Sequence, residues 1–187
     1  MMKKNIFNPP SPVESYFLKR SGLDFQYAPD EKIPAVQVNN FPLLRQLTAL
    51  RFIEWVQNNP GGVVSLPTGK TPEYFIRYVE HYLSTWDKKP TRELIEQVGI
   101  QHSNKPVLQD LQFVQIDEFF PIPPTQHNSF YDYVMKYYIN GFGISPERAQ
   151  LIDATTIPYP GGRTFQEVFH DLKVDLSLRF RQPNSTL

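Results

Sequence analysis

Residues 63–72, Val-Val-Ser-Leu-Pro-Thr-Gly-Lys-Thr-Pro, combine a short apolar strand, a turn with one glycine and the start of a helix. Pro72 suits the first position of a helix, and Thr71 suits the N-cap before it. The backbone amides of residues 68–70 would then lie at the positive end of the helix dipole, where an anionic group can bind. The segment therefore indicates a strand-to-helix unit and, at its turn, a phosphate site.

Strand and helix patterns alternate from residue 35 onward. Short apolar runs predict strands at 35–38, 63–66, 111–116 and 151–152. Apolar residues at helical spacing, preceded by capping residues, predict helices near 43–56, 71–83, 91–98, 128–139 and 164–172. Such alternation is typical of a parallel sheet, so we predict an α/β, Rossmann-like domain with helices on both faces over residues 35–187.

The two ends of the chain have different patterns. Residues 1–34 are rich in proline, and we interpret them as an N-terminal extension with at most one short helix near residues 12–19. Alternating apolar and polar residues predict a half-buried strand at 174–180.

Composition excludes several classes of function. The 187 residues contain 19 Lys and Arg and 19 Asp and Glu, so there is no overall positive field for nucleic acid or an anionic membrane. No apolar run approaches the ~18 residues of a membrane span, and the first residues lack a signal-peptide core. The chain has no cysteine, which removes disulfides and thiolate chemistry. We expect a cytoplasmic protein without nucleic-acid or membrane partners.

Gly69-Lys70-Thr71 has the ending of a nucleotide-binding P-loop but not its beginning. That loop needs an earlier glycine at the position where this chain has Val64, inside the strand. The shorter turn still suits a single phosphate, with Lys70 and the hydroxyls of Thr68 and Thr71 as further donors. A capped strand-to-helix turn that binds no ligand is the alternative.

Asp117 and Glu118 follow the predicted strand at 111–116. Open α/β sheets carry their chemistry at the carboxyl ends of strands. A carboxylate here, beside the apolar Phe119 and Phe120, is therefore a candidate base for proton transfer. In the alternative, one carboxylate caps the following turn while the other is solvated, and the pattern alone favours this alternative.

The histidines do not suggest a metal site. Positions 81, 102, 127 and 170 lack metal-ligand spacing, so we predict no metal. His127 lies in the loop after the carboxylate pair and could contact a ligand, although a histidine on a surface loop is the commoner case.

The two candidate sites occur in the same order in one known family. Its members have a Leu-Pro-Thr-Gly-x-Thr-Pro turn after a strand and a later strand ending in Asp-Glu-Tyr; here these are residues 66–72 and Asp117-Glu118-Phe119. The segments at 128–131 and 142–148 are also similar. Over residues 35–155 the chain thus resembles glucosamine-6-phosphate deaminase and its relatives, which include the 6-phosphogluconolactonases.

The resemblance implies that a sugar phosphate lies at Thr68, Gly69, Lys70 and Thr71. It also implies that Asp117, with Glu118 beside it, is catalytic. In the deaminases this aspartate moves a proton at C2 of the ring-opened amino sugar phosphate, giving fructose 6-phosphate and ammonia without a cofactor. Phe119 is closer to the deaminase aromatic than to the arginine of the lactonases. A lactonase-type hydrolase and a non-catalytic sugar-phosphate-binding protein are the alternatives.

The family's later segments, with a Gly-Gly-x-Gly-x-Asp-Gly-His motif, have no counterpart in residues 1–187. We therefore expect the N-terminal half of the family fold, a fragment that is inactive by itself. A sheet cut in half leaves a strand edge and apolar faces uncovered. We accordingly expect self-association, with a homo-oligomer as the outcome.

Overall fold

The computed structural model describes residues 11–22, 35–170 and 173–174. Two compact units divide these residues. The first holds the described residues of Met1–Pro60 and Tyr74–Val107, and the second holds those of Gly61–Glu73 and Leu108–Leu187. The domain boundary expected after residue 34 stays a prediction. In the described part of the chain, no helix is long and apolar enough to span a membrane.

The first unit is helical. Its helices are α1 (Pro12–Ser21), α2 (Phe41–Asn58), α3 (Glu73–Ser84, whose first residue belongs to the second unit) and α4 (Lys89–Gln97). The predictions of helices at 12–19, 43–56 and 91–98 are confirmed.

Helix α1 packs on α2. A capping box begins it, because the Ser11 hydroxyl accepts a hydrogen bond from the Glu14 amide at 2.9 Å. Val13 and Phe17 are buried, and the guanidinium of Arg51 in α2 pairs with the Glu14 carboxylate at 2.8 Å. The helix expected in the N-terminal extension is therefore part of the first unit.

The strand predicted at 35–38 is wrong. Ala35 forms an isolated bridge, and residues 36–38 have no regular structure. A short apolar alternation makes a strand only when a neighbour pairs with its backbone. The chain turns here instead, because the Asn40 side chain accepts a hydrogen bond from the Leu43 amide and begins α2.

The second unit is built on a parallel sheet. Its strands are β1 (Val63–Val64), β2 (Gln112–Val114) and β3 (Ala149–Gln150), in the order β1-β2-β3. Val64 pairs with Phe113, and Phe113 pairs with Ala149. The α/β class with a parallel sheet is confirmed, although its strands are shorter than predicted.

The last strand lies earlier than the predicted 151–152, and that position is wrong. The ladder ends after Gln150, whose carbonyl accepts the Gln115 amide at 3.0 Å. The amide of Ile152 donates to the side chain of Gln115 and not to a neighbouring strand. A side chain thus takes the hydrogen bond that would have continued the sheet.

One face of the sheet is covered by the helical segment 130–142, made of α5 (Phe130–Val134), a π-helical turn (Met135–Ile139) and α6 (Asn140–Phe142). The ring of Tyr138 stacks on Phe113 with 5.4 Å between centroids. Ser129 caps this segment by accepting a hydrogen bond from the Asp132 amide at 3.0 Å, as predicted.

Apolar side chains in and just after the strands of the second unit are exposed. Val63 is 60% exposed and Val114 is 38% exposed within the strands, and Ile116 and Ile152, which follow β2 and β3, are 58% and 40% exposed. A parallel sheet usually has both faces covered. The self-association expected from the sequence has a candidate surface here and stays a prediction.

Short helices complete the described chain. The 3₁₀ turns are Pro146–Arg148, Ala154–Thr156 and Pro160–Gly162, and they precede α7 (Phe165–Val168). The capping box of Thr164 and Glu167 begins α7, as predicted, but the helix ends before residue 172. The strand predicted at 174–180 lies, beyond Val174, outside the described residues.

Candidate functional site

The predicted site residues lie at one edge of the sheet. Because the strands are parallel, their carboxyl ends lie along the same edge. Residues 65–72 leave this edge after β1, residues 115–118 leave it after β2, and residues 151–153 leave it after β3. In open α/β sheets, ligands bind at this edge.

The turn after β1 presents free backbone donors. Gly69 has φ +83°, a left-handed conformation that favours glycine, and a methyl group added there would meet no atom within 4 Å. Among the described residues, the amides of Thr68, Gly69 and Lys70 donate no hydrogen bond. Gly69 and Lys70 are also exposed. An anion approaching the turn would therefore find donors that no protein group already uses.

Thr71 does not cap the helix after the turn, so that prediction is wrong. Helix α3 begins at Glu73, whose amide lies 3.4 Å from the carbonyl of Lys70 in a turn. Residues 69–72 form a bend and a turn, so the helix starts two residues later than predicted. The carboxylate of Glu73 then lies in the first helical turn.

Two long-range hydrogen bonds hold the turn. The Ser65 hydroxyl donates to the carbonyl of Val114 at 2.7 Å, and the Tyr138 hydroxyl donates to the carbonyl of Pro67 at 2.6 Å. Tyr138 has no exposed surface. The turn is therefore anchored to β2 on one side and to the covering helix on the other.

Glu118 takes the capping role that the sequence left as an alternative. Its carboxylate accepts the amide of Phe119 at 2.9 Å, the amide of Phe130 at 3.0 Å and the amide of Tyr131 at 2.7 Å. The last two amides lie in the first turn of α5, where an amide has no partner within the helix itself. The helix dipole also stabilises a negative charge at this end. The catalytic role predicted for Glu118 stays a prediction, with its oxygens already occupied.

Asp117 differs from its neighbour. It is exposed, and among the described residues its carboxylate has no hydrogen-bond or ion-pair partner; only its backbone carbonyl is bonded, to the Gln115 side chain at 2.8 Å. The apolar neighbours that the sequence placed beside it do not enclose it, because the rings of Phe119 and Phe120 pack against Phe130 and Phe169. Asp117 is thus the free carboxylate of the pair.

Gln115 is a polar residue that sequence reasoning missed. It is 5% exposed. Its side-chain amide donates to the carbonyl of Asp117, and its side-chain oxygen accepts the amide of Ile152 at 3.0 Å. A buried polar side chain of this kind needs such partners. The sequence could have indicated this burial, because Gln115 follows Leu111 and Phe113 at every second position of the strand pattern, and these positions face the interior.

The remaining sequence candidates add little to the site. His127 is exposed. In the described ranges, no group of three or more His, Asp or Glu side chains could hold a metal ion. The expected absence of metal and cofactor stays a prediction.

Fold and site together define an α/β protein with unpaired amides and one free carboxylate at the carboxyl edge of its sheet. No protein-family model matches the chain, and no curated protein matches it by sequence.

Among solved structures, the chain is similar to a monomeric glucosamine-6-phosphate deaminase described as the missing link of the NagB superfamily. The identity is 19% and the TM-score is 0.49, over 62% of this chain and 41% of that chain. The chain thus spans less than half the length of that structure. This similarity does not assign an activity to the present chain.

Proposed function

We propose that the protein binds a phosphorylated sugar, with the phosphate on the turn at residues 68–71. One observation carries this proposal. At the carboxyl edge of the sheet, the turn amides and the Asp117 carboxylate have no partner in the described part of the chain, whereas the neighbouring Glu118 and Gln115 bond to backbone groups. A ligand with an anionic end and hydroxyl groups matches such a set of donors and acceptors.

The phosphate would be held mainly by backbone groups. The amides of Thr68, Gly69 and Lys70 can donate to phosphate oxygens, and the Lys70 ammonium adds a charge-assisted donor. Lys70 is exposed, and no described carboxylate pairs with its side chain. The hydroxyls of Thr68 and Thr71 are further donors.

We further propose that the sugar is an amino sugar and that Asp117 is the base. The support is the motif pair at 66–72 and 117–119, which resembles that of the glucosamine-6-phosphate deaminases. Asp117 would move the proton from C2 to C1 of the ring-opened substrate, and hydrolysis of the resulting C2 imine by water would give fructose 6-phosphate and ammonia. Because its carboxylate is exposed and unpaired, it is available to a bound sugar.

A second candidate function is binding without catalysis. It is favoured by two observations: Glu118 is bound to helix amides, and Asp117 is exposed. A protein of this kind would keep the phosphate turn and use it for sensing or regulation.

The binding proposal is tested by NMR titration of the ¹⁵N-labelled chain with glucosamine 6-phosphate, and with glucosamine as the unphosphorylated control. We expect the amide resonances of Thr68, Gly69 and Lys70 to shift with the phosphorylated sugar alone. Shifts elsewhere without any at these amides would contradict the proposal.

Catalysis is tested by ammonia release from glucosamine 6-phosphate by the full-length gene product and by its Asp117→Asn variant, because the 187-residue chain alone is expected to be inactive. The substitution keeps the size of the side chain at an exposed position, so the fold and the binding should be retained. Loss of a general base lowers turnover by about 10²–10⁴-fold. If the wild type binds the sugar phosphate but releases no ammonia, the non-catalytic candidate is favoured.

A further inference from the structure

We infer that Tyr138 is a positioning residue for the phosphate site, which it serves by fixing the direction of the first amide of the turn. The inference rests on the proposed function. It starts from the hydrogen bond of the Tyr138 hydroxyl to the carbonyl of Pro67, at 2.6 Å. Seventy-one positions separate the two residues, and one belongs to the covering helix while the other begins the turn.

The phenol ring is held firmly. Tyr138 has no exposed surface. Its ring stacks on Phe113 in β2 at 5.4 Å and meets the edge of Phe142 at 5.4 Å and of Tyr133 at 6.1 Å. A ring enclosed on these sides cannot change rotamer without disturbing the core. The hydroxyl is therefore a fixed donor.

The fixed donor orients a peptide plane. The carbonyl of Pro67 and the amide N–H of Thr68 belong to the same planar peptide unit, and in a trans peptide they point in opposite directions. Holding the carbonyl toward the buried tyrosine therefore turns the Thr68 N–H away from it. A carbonyl that accepts a hydrogen bond also makes the N–H of its own peptide a better donor.

The same helical segment holds the carboxylate side of the site. Its first amides, from Phe130 and Tyr131, bond to Glu118, the neighbour of Asp117. Its later residue Tyr138 bonds to the turn. One helix thus connects the phosphate donors with the free carboxylate.

The hydroxyl remains a donor over the working pH range. Burial raises the pKa of Tyr138 far above its ordinary value, and the neighbouring Tyr133 raises it further. The phenol therefore stays protonated.

The test compares Tyr138→Phe with Tyr82→Phe in the 187-residue chain. The first variant keeps the ring and removes the donor to Pro67. Tyr82 is the matched control, because it is 3% exposed and its hydroxyl has no hydrogen-bond partner in the described part of the chain. Calorimetry with glucosamine 6-phosphate and with inorganic phosphate reports on the anion site. We expect about five- to ten-fold weaker binding of both ligands by Tyr138→Phe, and unchanged binding by Tyr82→Phe.

The outcomes separate this inference from the proposed function. If the wild type binds and Tyr138→Phe binds equally well, the positioning role is wrong and the proposed function stands. If the wild type binds neither ligand, the proposed function fails, and the ligand-free NMR spectrum decides the role of Tyr138. A Thr68 amide resonance that moves in Tyr138→Phe but not in Tyr82→Phe supports it, and an unmoved resonance overturns it. All comparisons are made at a temperature at which circular dichroism shows each variant folded.

Discussion

The turn after β1 and the segment after β2 lie at the same edge of one sheet, yet they differ in whether their polar groups have hydrogen-bond partners. In the turn, the amides of residues 68–70 have no hydrogen-bond partner among the residues that the structure describes. In the segment at 115–118, Gln115 and Glu118 are bonded to backbone groups of later elements, and only the Asp117 carboxylate is free.

The difference shows which of two adjacent carboxylates is available to a ligand. Asp117 and Glu118 are equivalent in chemistry and nearly so in position. Glu118 is used because the amide-rich start of α5 lies within hydrogen-bond distance of it. A polar side chain at the edge of a sheet is thus a candidate for ligand binding only if it is not already bonded to backbone groups of the fold.

The largest expected effect separates the two carboxylates by stability. Glu118→Ala removes the acceptor of three backbone amides and should lower the free energy of unfolding by about 2–3 kcal/mol. Asp117→Ala removes a free, exposed side chain and should change it by less than about 0.5 kcal/mol. Urea unfolding followed by circular dichroism measures both. Equal losses for the two variants would contradict the division of roles.

A smaller effect tests whether the turn is built for a ligand. Gly69→Ala and Gly143→Ala place the same methyl group at left-handed positions, φ +83° and +73°, with no atom within 4 Å of either. Each should destabilise the chain by about 1 kcal/mol. Gly143 lies before β3, at the opposite edge of the sheet.

Only Gly69→Ala should weaken the binding of glucosamine 6-phosphate, by about ten-fold, because it reorients the turn amides. Calorimetry of the two variants measures this contrast. Weaker binding by Gly143→Ala to the same degree would mean that the loss reflects general destabilisation.

The smallest effect concerns a third carboxylate, Glu167, which caps a helix as Glu118 does but on the surface. Hydrogen bonds from the backbone amide and then from the hydroxyl of Thr164 lower the pKa of Glu167 below its ordinary value of 4.5. A lowered pKa in the folded state means that the cap stabilises α7 above pH 4.5 and is lost as the pH falls through the lowered value.

NMR titration of the α7 amides should show this loss on the acid side, and Glu167→Gln should abolish the pH dependence. A titration midpoint above the ordinary value would contradict the assigned cause.

Local features of the fold were predictable from short stretches of sequence. Ser129 and Thr164 cap helices through contacts three positions away, and the pattern of apolar residues located α2 and α4. The prediction of a strand at 35–38 was wrong because four residues do not show whether another strand pairs with them. The start of α3 was predicted two residues too early, because the bend and turn at 69–72 are a backbone conformation that the neighbouring residues do not reveal.

The sequence by itself determined the alternation of strands and helices, the positions of the turn and the carboxylate pair, and the motif resemblance that suggests a sugar phosphate. Only the tertiary structure decided which of these polar groups are free. Glu118 meets amides 12 and 13 positions away, Gln115 meets one 37 positions away, and Tyr138 meets the turn from 71 positions away. The reason is that a hydrogen bond depends on distance in space, and residues this far apart are brought together only by the pairing of the strands and the packing of the helix on the sheet.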